Sequence, residues 1–259
     1  MPEKYKKTEQ NKSEQLHVVI YGYSRNDISK LMGHFKEQLP PDVKLSYVTD
    51  NLVTHITLHG HGSQLELLRF KMNRYRQNLV EMFSEELVTT ENKTISQVLG
   101  QSLIEKDLTV SCAESCTGGN IAHRIVQEAG SSAYFLGSVV SYSNDVKTDV
   151  LGVSRTNIDR FGAVSQPVAE EMVEGVCRLM HSECGIATSG IAGPDGGSRY
   201  KPVGTVWIAV KYLDTVISEC VHFQGDRNEV IESATNHGMV MLINLLRDSY
   251  IMQEDFNDE

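Results

Sequence analysis

The sequence predicts an α/β protein, a three-layer α/β/α domain with a mixed sheet, preceded by a small α+β domain. Three observations carry this. From residue 95 onward, helix-like spacing of apolar residues alternates with short apolar runs of strand length. The last of those runs follow one another directly, so the sheet they join is mixed rather than wholly parallel. Before residue 84 the order is instead strand, helix, two strands, helix, and a polar, acidic stretch separates the two patterns.

Taken in order, residues 1–14 are charged, with almost nothing to bury, and are expected to form a disordered tail. Residues 15–83 form the small domain: LHVVIYGY (16–23) reads as a strand, 27–39 as an amphipathic helix, VKLSYVTD and VTHITLHGHG as two strands, and 63–82 as a long helix. Residues 84–94 are expected to be a linker and 95–259 the larger domain. There a helix over 95–105 leads to the strand LTVSC (108–112), a helix over 118–129, a strand over 135–143 and a helix over 166–182. GIATSGIAG, VGTVWIAVKY and VISECVHF follow as strands, and a helix over about 228–246 closes the chain.

With 40% hydrophobic and 22% charged residues over 259 positions, the chain has ordinary globular composition. Its formal charge of −10 argues against broad attraction to nucleic acid or to an anionic membrane, while leaving room for a local basic pocket. Five cysteines, an odd number without a C-x-x-C pair, favour reduced thiols. The charged start and the lack of a long apolar run complete the expectation of a cytoplasmic protein with no membrane partner.

Four stretches carry residues suited to chemistry. In SCAESCTGGN, a strand feeds a turn at Gly118 and Gly119 that opens a helix, with Ser115 or Thr117 available as N-cap. Either this is a capped helix after a tight turn, or it sets a nucleophilic hydroxyl beside backbone donors that stabilise an oxyanion. In SYSNDVK, Tyr142 ends a strand and Lys147 follows in a helix capped by Asn144 or Asp145; the lysine is either solvated or holds the phenol near ionisation, as a base without histidine. The glycine-rich stretch 188–210 is longer than a hairpin needs, and Ser189 and Thr205 add hydroxyls to it, which favours a binding loop. In FQGDRNEVIE, either Arg227 grips a phosphate or Asp226 caps a helix and Arg227 pairs with an acid.

AESCTGG, YSNDVK, FGAVSQPVAEEM, TSGIAGPDGG, KPVGTVW and F-x-GDR, in this order, resemble the C-terminal domain of the competence/damage-inducible CinA family over about 96–248. The resemblance implies an amidohydrolase that converts nicotinamide mononucleotide to nicotinate mononucleotide and ammonia. It implies a catalytic serine, tyrosine and lysine at Ser115, Tyr142 and Lys147. Beside these, the stretches read above are expected to give substrate contacts from Thr117, Gly118, Gly119, Ser189, Gly190, Thr205 and Arg227. In that scheme Lys147 holds Tyr142 near ionisation, Tyr142 takes the proton of Ser115, and neither metal nor cofactor is needed. Cys116 is the rival nucleophile, disfavoured because thiol chemistry commonly recruits a histidine and the nearest, His123, lies on the helix. A catalytically silent nucleotide-binding or assembly module, working with a separate partner, is the alternative.

Residues 16–90 resemble, more weakly, the KH-type domain that precedes the amidase domain in longer members. They lack a G-x-x-G clamp, so RNA binding is not expected. Those members also begin with a molybdopterin-binding-like domain associated with ADP-ribose pyrophosphatase activity; 259 residues leave no room for it, and that activity is not carried over. The resemblance implies a homo-oligomer, with a dimer favoured. His55, His59 and His61 share one strand face, which is expected to be an exposed face or edge rather than a metal site.

Overall fold

A computed structural model of the chain describes residues 12–257, with side chains described through 248. The chain divides between Lys93 and Thr94 into two compact units.

The first unit holds β1 (Lys12–Tyr21), α1 (Arg25–Glu37), β2 (Val43–Asp50), β3 (Val53–Gly62), α2 (Leu65–Met82) and β4 (Leu87–Thr89). Every neighbour in its sheet, β2-β3-β1-β4, is antiparallel. This β-α-β-β-α-β order with two helical crossovers is the ferredoxin-like arrangement. The alternation along β2 and β3 sends Leu45, Ile56 and Leu58 to the core with Ile28, Met32 and Phe35 of α1 and Leu68, Met72 and Leu79 of α2. Asn51 and Leu52 both take positive φ, 44° and 67°, giving the two-residue turn whose twist suits a hairpin.

Two expectations change here. Of the expected tail, residues 1–11 lie outside the described residues, while 12–14 begin β1. The expected linker contains β4, which pairs with β1 and fills the sheet's fourth place; its three residues are too few to show a periodicity against their acidic neighbours.

The second unit contains α3 (Ile95–Glu105), β5 (Val110–Glu114), α4 (Asn120–Val126), β6 (Phe135–Val140), α5 (Asn144–Asp149), α6 (Arg155–Phe161), α7 (Gln166–Met180), β7 (Cys184–Gly190), β8 (Thr205–Tyr212), β9 (Thr215–His222) and α8 (Arg227–Asn257). The sheet order is β6-β5-β7-β8-β9, parallel across β6, β5 and β7 and antiparallel beyond. Side chains alternate between its faces. Ala113, Ala187 and Ala209 join the core built by α7, whereas Gly238 of α8 sits against Ile186 and Ile208, one residue out of phase. The helices α7 and α8 therefore cover opposite faces, with α3 and α4 packed beside α8, and the domain has three layers.

The chain leaves β5 through α4 to reach β6 on one side, then crosses by α7 to β7 on the other. β5 is thus the point where the winding changes direction, and the carboxyl end of such a strand opens into a crevice. No helix among the described residues is long and apolar enough to cross a membrane.

Close packing on the α7 side depends on Gly175, where an added Cβ would stand 2.1 Å from the carbonyl oxygen of Leu151. Gly175→Ala is expected to lower stability by about 2 kcal/mol. Denaturant unfolding of the two proteins measures this.

Candidate active site

The crevice is organised by Glu114. Its carboxylate is fully buried and accepts from the Thr117 hydroxyl (2.8 Å), the backbone N–H groups of Gly119, Ile121 and Ala122 (3.0 Å each) and the Ser138 hydroxyl (3.1 Å). Gly118 and Gly119, with φ of 61° and 100°, let the chain reverse tightly enough for those N–H groups to converge. This corrects the expected capping. Neither Ser115 nor Thr117 caps α4; Gly119 is its N-cap, and Glu114 neutralises the helix start. The donors expected to face an oxyanion are consequently occupied. Thr117, whose hydroxyl also meets that of Thr188 (2.7 Å), frames the crevice with Gly118 and Gly119 instead of lining it.

Ser115 follows directly, its N–H donating to Thr188 O (3.0 Å), and Ser141 N–H donates to Glu114 O (2.8 Å). Strand-like bonding thus continues one residue past the ends of β5 and β6. Lys147 enters this junction from α5, whose N-cap is Ser143, not Asn144 or Asp145. Only 1% exposed, Lys147 directs its Nζ to Ser115 Oγ (3.1 Å) and to the carbonyl of Ser141 (2.5 Å). Among the described ion pairs none involves Lys147. Burial lowers its pKa from the ordinary lysine value, because a desolvated ammonium without a carboxylate is disfavoured.

Tyr142 sits differently from its expected role. Its side chain is mostly exposed, and its hydroxyl accepts from Arg227 Nη2 at 3.4 Å; no described hydrogen bond joins it to Ser115 or Lys147. The side chain in hydrogen-bond contact with Ser115 Oγ is Lys147 itself. In the FQGDR stretch Asp226 caps α8 as expected, accepting from Asn228 N–H and Glu229 N–H, whereas Arg227 donates to Gly193 O (2.6 Å) at the crevice wall and not to an acid.

Ser115, Cys116, Tyr142, Asn144, Lys147 and Arg227 surround a cavity of about 270 Å³ together with Ala163, Val164, Ser189, Gly190, Ile191, Ala192, Gly193, Asp195 and Gly196. The end of β7 and the loop after it are tied to the segment before α7, since Ser189 Oγ donates to Ala163 O (2.7 Å) and Lys201 Nζ to Phe161 O and Val164 O (2.7 Å each). Gly190 approaches β8 so closely that a Cβ would lie 2.6 Å from Val206. Thr205, expected to touch substrate, begins β8 away from the cavity lining, buried, with its N–H bonded to Pro202 O. Sequence reasoning assigned no site role to Glu114, Ala163, Val164 or Asp195; a charged residue closing an otherwise apolar strand was the available sign of Glu114.

Cys116 lines the cavity, yet burial pushes its thiol up to about 12, with Glu114 adding to the shift. It is therefore a thiol near neutral pH, and a thiol is a much poorer nucleophile than a thiolate. His123 on α4 bonds Gln127 at the helix end and is not among the residues that line the cavity. Among the described residues no group of three His, Cys, Asp or Glu is placed to hold a metal. His55 and His59 are half-buried and His61 is exposed on the helix-free face of the first sheet.

Removing the Glu114 carboxylate strands the N–H donors of Gly119, Ile121 and Ala122, the second of them buried and the others partly so. Glu114→Ala is expected to lower stability by about 3 kcal/mol or more, read by denaturant unfolding. Cys116 in the folded wild-type protein is expected to resist iodoacetamide at pH 8, which mass spectrometry of the treated protein checks.

Residues 92–246 match the CinA C-terminal domain family. A CinA-like protein of Flavobacterium psychrophilum is 36% identical over 234 residues, covering 90% of this chain and 56% of its own length. A putative competence-damage inducible protein of Clostridium beijerinckii is 42% identical over 176 residues, 65% of this chain and 43% of its own. Among solved structures, a CinA superfamily protein from Klebsiella pneumoniae superposes with a TM-score of 0.58 at 31% identity, covering 60% of this chain and 99% of that one. The competence/damage inducible protein CihA from Agrobacterium tumefaciens does so with a TM-score of 0.56 at 36% identity, covering 61% and 99%. The chain spans about half the length of the curated relatives it matches. With more than half of its residues matched, including every residue of the crevice, the chain belongs to the CinA C-terminal domain family.

Proposed function

We propose that the chain is an amidase that hydrolyses the carboxamide of nicotinamide mononucleotide, releasing nicotinate mononucleotide and ammonia. One observation carries the chemistry: a buried lysine with no carboxylate partner, its Nζ 3.1 Å from Ser115 Oγ. The neutral amine takes the hydroxyl proton as Oγ forms a bond to the carboxamide carbon. The resulting ammonium returns that proton to the amide nitrogen, the C–N bond breaks, and ammonia leaves. Water then attacks the Ser115 ester with Lys147 again as base, and the acid departs. Tyr142 and Arg227, hydrogen-bonded to each other at the cavity wall, supply donors for the anionic parts of the substrate. A cavity of about 270 Å³ suits a mononucleotide better than a dinucleotide.

The substrate itself rests on the CinA resemblance, and the first unit is assigned to assembly, not to RNA binding. Its KH-type resemblance brings no G-x-x-G clamp.

Incubation of the purified protein with nicotinamide mononucleotide is expected to release ammonia and nicotinate mononucleotide in equal amounts. Nucleotide binding without ammonia would make this a silent binding module. Ser115→Ala should abolish turnover and keep binding; a dead Cys116→Ala beside an active Ser115→Ala would reverse the nucleophile assignment.

Lys147→Arg keeps a positive charge but loses a base that can deprotonate, so kcat should fall by about 10³-fold. Only the neutral amine acts, and its fraction grows as pH rises. Because burial lowers the pKa, kcat/KM is expected to rise along a limb whose midpoint lies below 10.5. A pH–rate profile tests the sign and the position.

A further inference from the structure

In the first unit, β2 is an outer strand among the described residues, since the order β2-β3-β1-β4 leaves one of its edges unpaired there. Two hydrogen bonds show which groups face that edge. His61 N–H donates to Asp42 O (3.0 Å), continuing the pairing of even-numbered β2 residues with β3. Arg25 reaches Thr49 O (3.2 Å) from outside, so the odd-numbered residues point outward. The N–H and C=O groups of Leu45, Tyr47 and Thr49 therefore project from the edge, whereas Val43 N–H folds back to Pro40 O. β2 contains no proline and keeps an unbroken register with β3 over all eight residues, so it lacks two common devices for blunting an edge. Beside that edge, Val48 is 70% exposed on the helix-free face.

The geometry points to a second copy of this chain as the occupant: β2 pairs with β2 of the partner, antiparallel about a two-fold axis at Tyr47, joining two four-stranded sheets into one. In such a pairing outward residues must face outward residues, which leaves a few registers separated by two-residue slips. Centring on Tyr47 sets Leu45 against Thr49 and supplies about six backbone hydrogen bonds. It also sets exposed Lys44 opposite exposed Asp50 of the partner, twice, and Val48 against Ser46. One slip in the other direction, centred on Ser46, would instead oppose Asp42 to Asp50. The strand's own charges thus select the Tyr47 register. The cations on the helix side are already engaged, Arg25 with Thr49 O and Lys36 over the Tyr47 ring at 5.0 Å. The carbonyl of Thr49 has a second lone pair for the partner's Leu45 N–H.

The test uses the full chain and the exposed pair. Sedimentation across a concentration series should show wild-type dimer. Lys44→Asp and Asp50→Lys should each weaken association about tenfold or more, because each opposes like charges at both symmetric contacts. The double swap should restore it, and mixing the two single variants should produce a heterodimer in which both contacts are again opposite in sign. Circular dichroism confirms that each variant is folded. A wild-type monomer at all concentrations, single variants that associate like wild type, or a double swap no better than the singles would each overturn the pairing.

Discussion

Burying an amine without a carboxylate beside it is the constraint on which the crevice depends. Lys147 has lost nearly all contact with water, and what replaces it is the carbonyl of Ser141 and the hydroxyl of Ser115. Those two oxygens accept hydrogen bonds but carry no full charge, so the environment favours the neutral amine over the ammonium. A salt bridge would reverse this and leave Ser115 beside a permanently charged neighbour. The chain avoids that outcome by keeping its nearby carboxylate, Glu114, saturated by backbone and hydroxyl donors of α4 and β6.

Glu114 then accounts for the different surroundings of the adjacent Ser115 and Cys116. Its bonds fix the turn from which Ser115 and Cys116 emerge, and its negative charge adds to the burial that keeps the thiol protonated. Ser115 is left in contact with the Lys147 amine. Geometry follows from topology here, because β5 lies between β6 and β7 at the point where the winding reverses, so residues from three strand ends meet without any long loop having to reach across. Arg227 arrives from the start of α8, released for the cavity by Asp226, which takes over the helix cap.

Much of this was legible in sequence where periodicity or punctuation was strong. VKLSYVTD and VTHITLHGHG show their strands over the full observed spans, and α3 and α7 begin where the apolar spacing begins. Ser115 and Lys147 were visible as residue types, but their contact was not, since it depends on α5 turning Lys147 inward under a cap from Ser143. Tyr142 was expected as the intermediate base because the family resemblance implies it. In the structure residue 142 falls on the exposed side of the strand end next to Arg227, with no described hydrogen bond to Ser115 or Lys147. Local capping preference pointed to Ser115 or Thr117, while a carboxylate from the preceding strand won, a tertiary effect no window around the helix contains. Likewise β4 and α6 are too short for their periodicity to emerge from their surroundings.

The account stands or falls on the ionisation of one group. NMR titration of Lys147, with its Cε and Nζ labelled and assigned by the Lys147→Arg variant, reads it directly in the folded protein. The pKa is expected below the ordinary lysine value of 10.5, and Ser115→Ala should remove the hydroxyl contact without restoring that value. A lysine that titrates at or above 10.5 would contradict the claim that Lys147 serves Ser115 as its base.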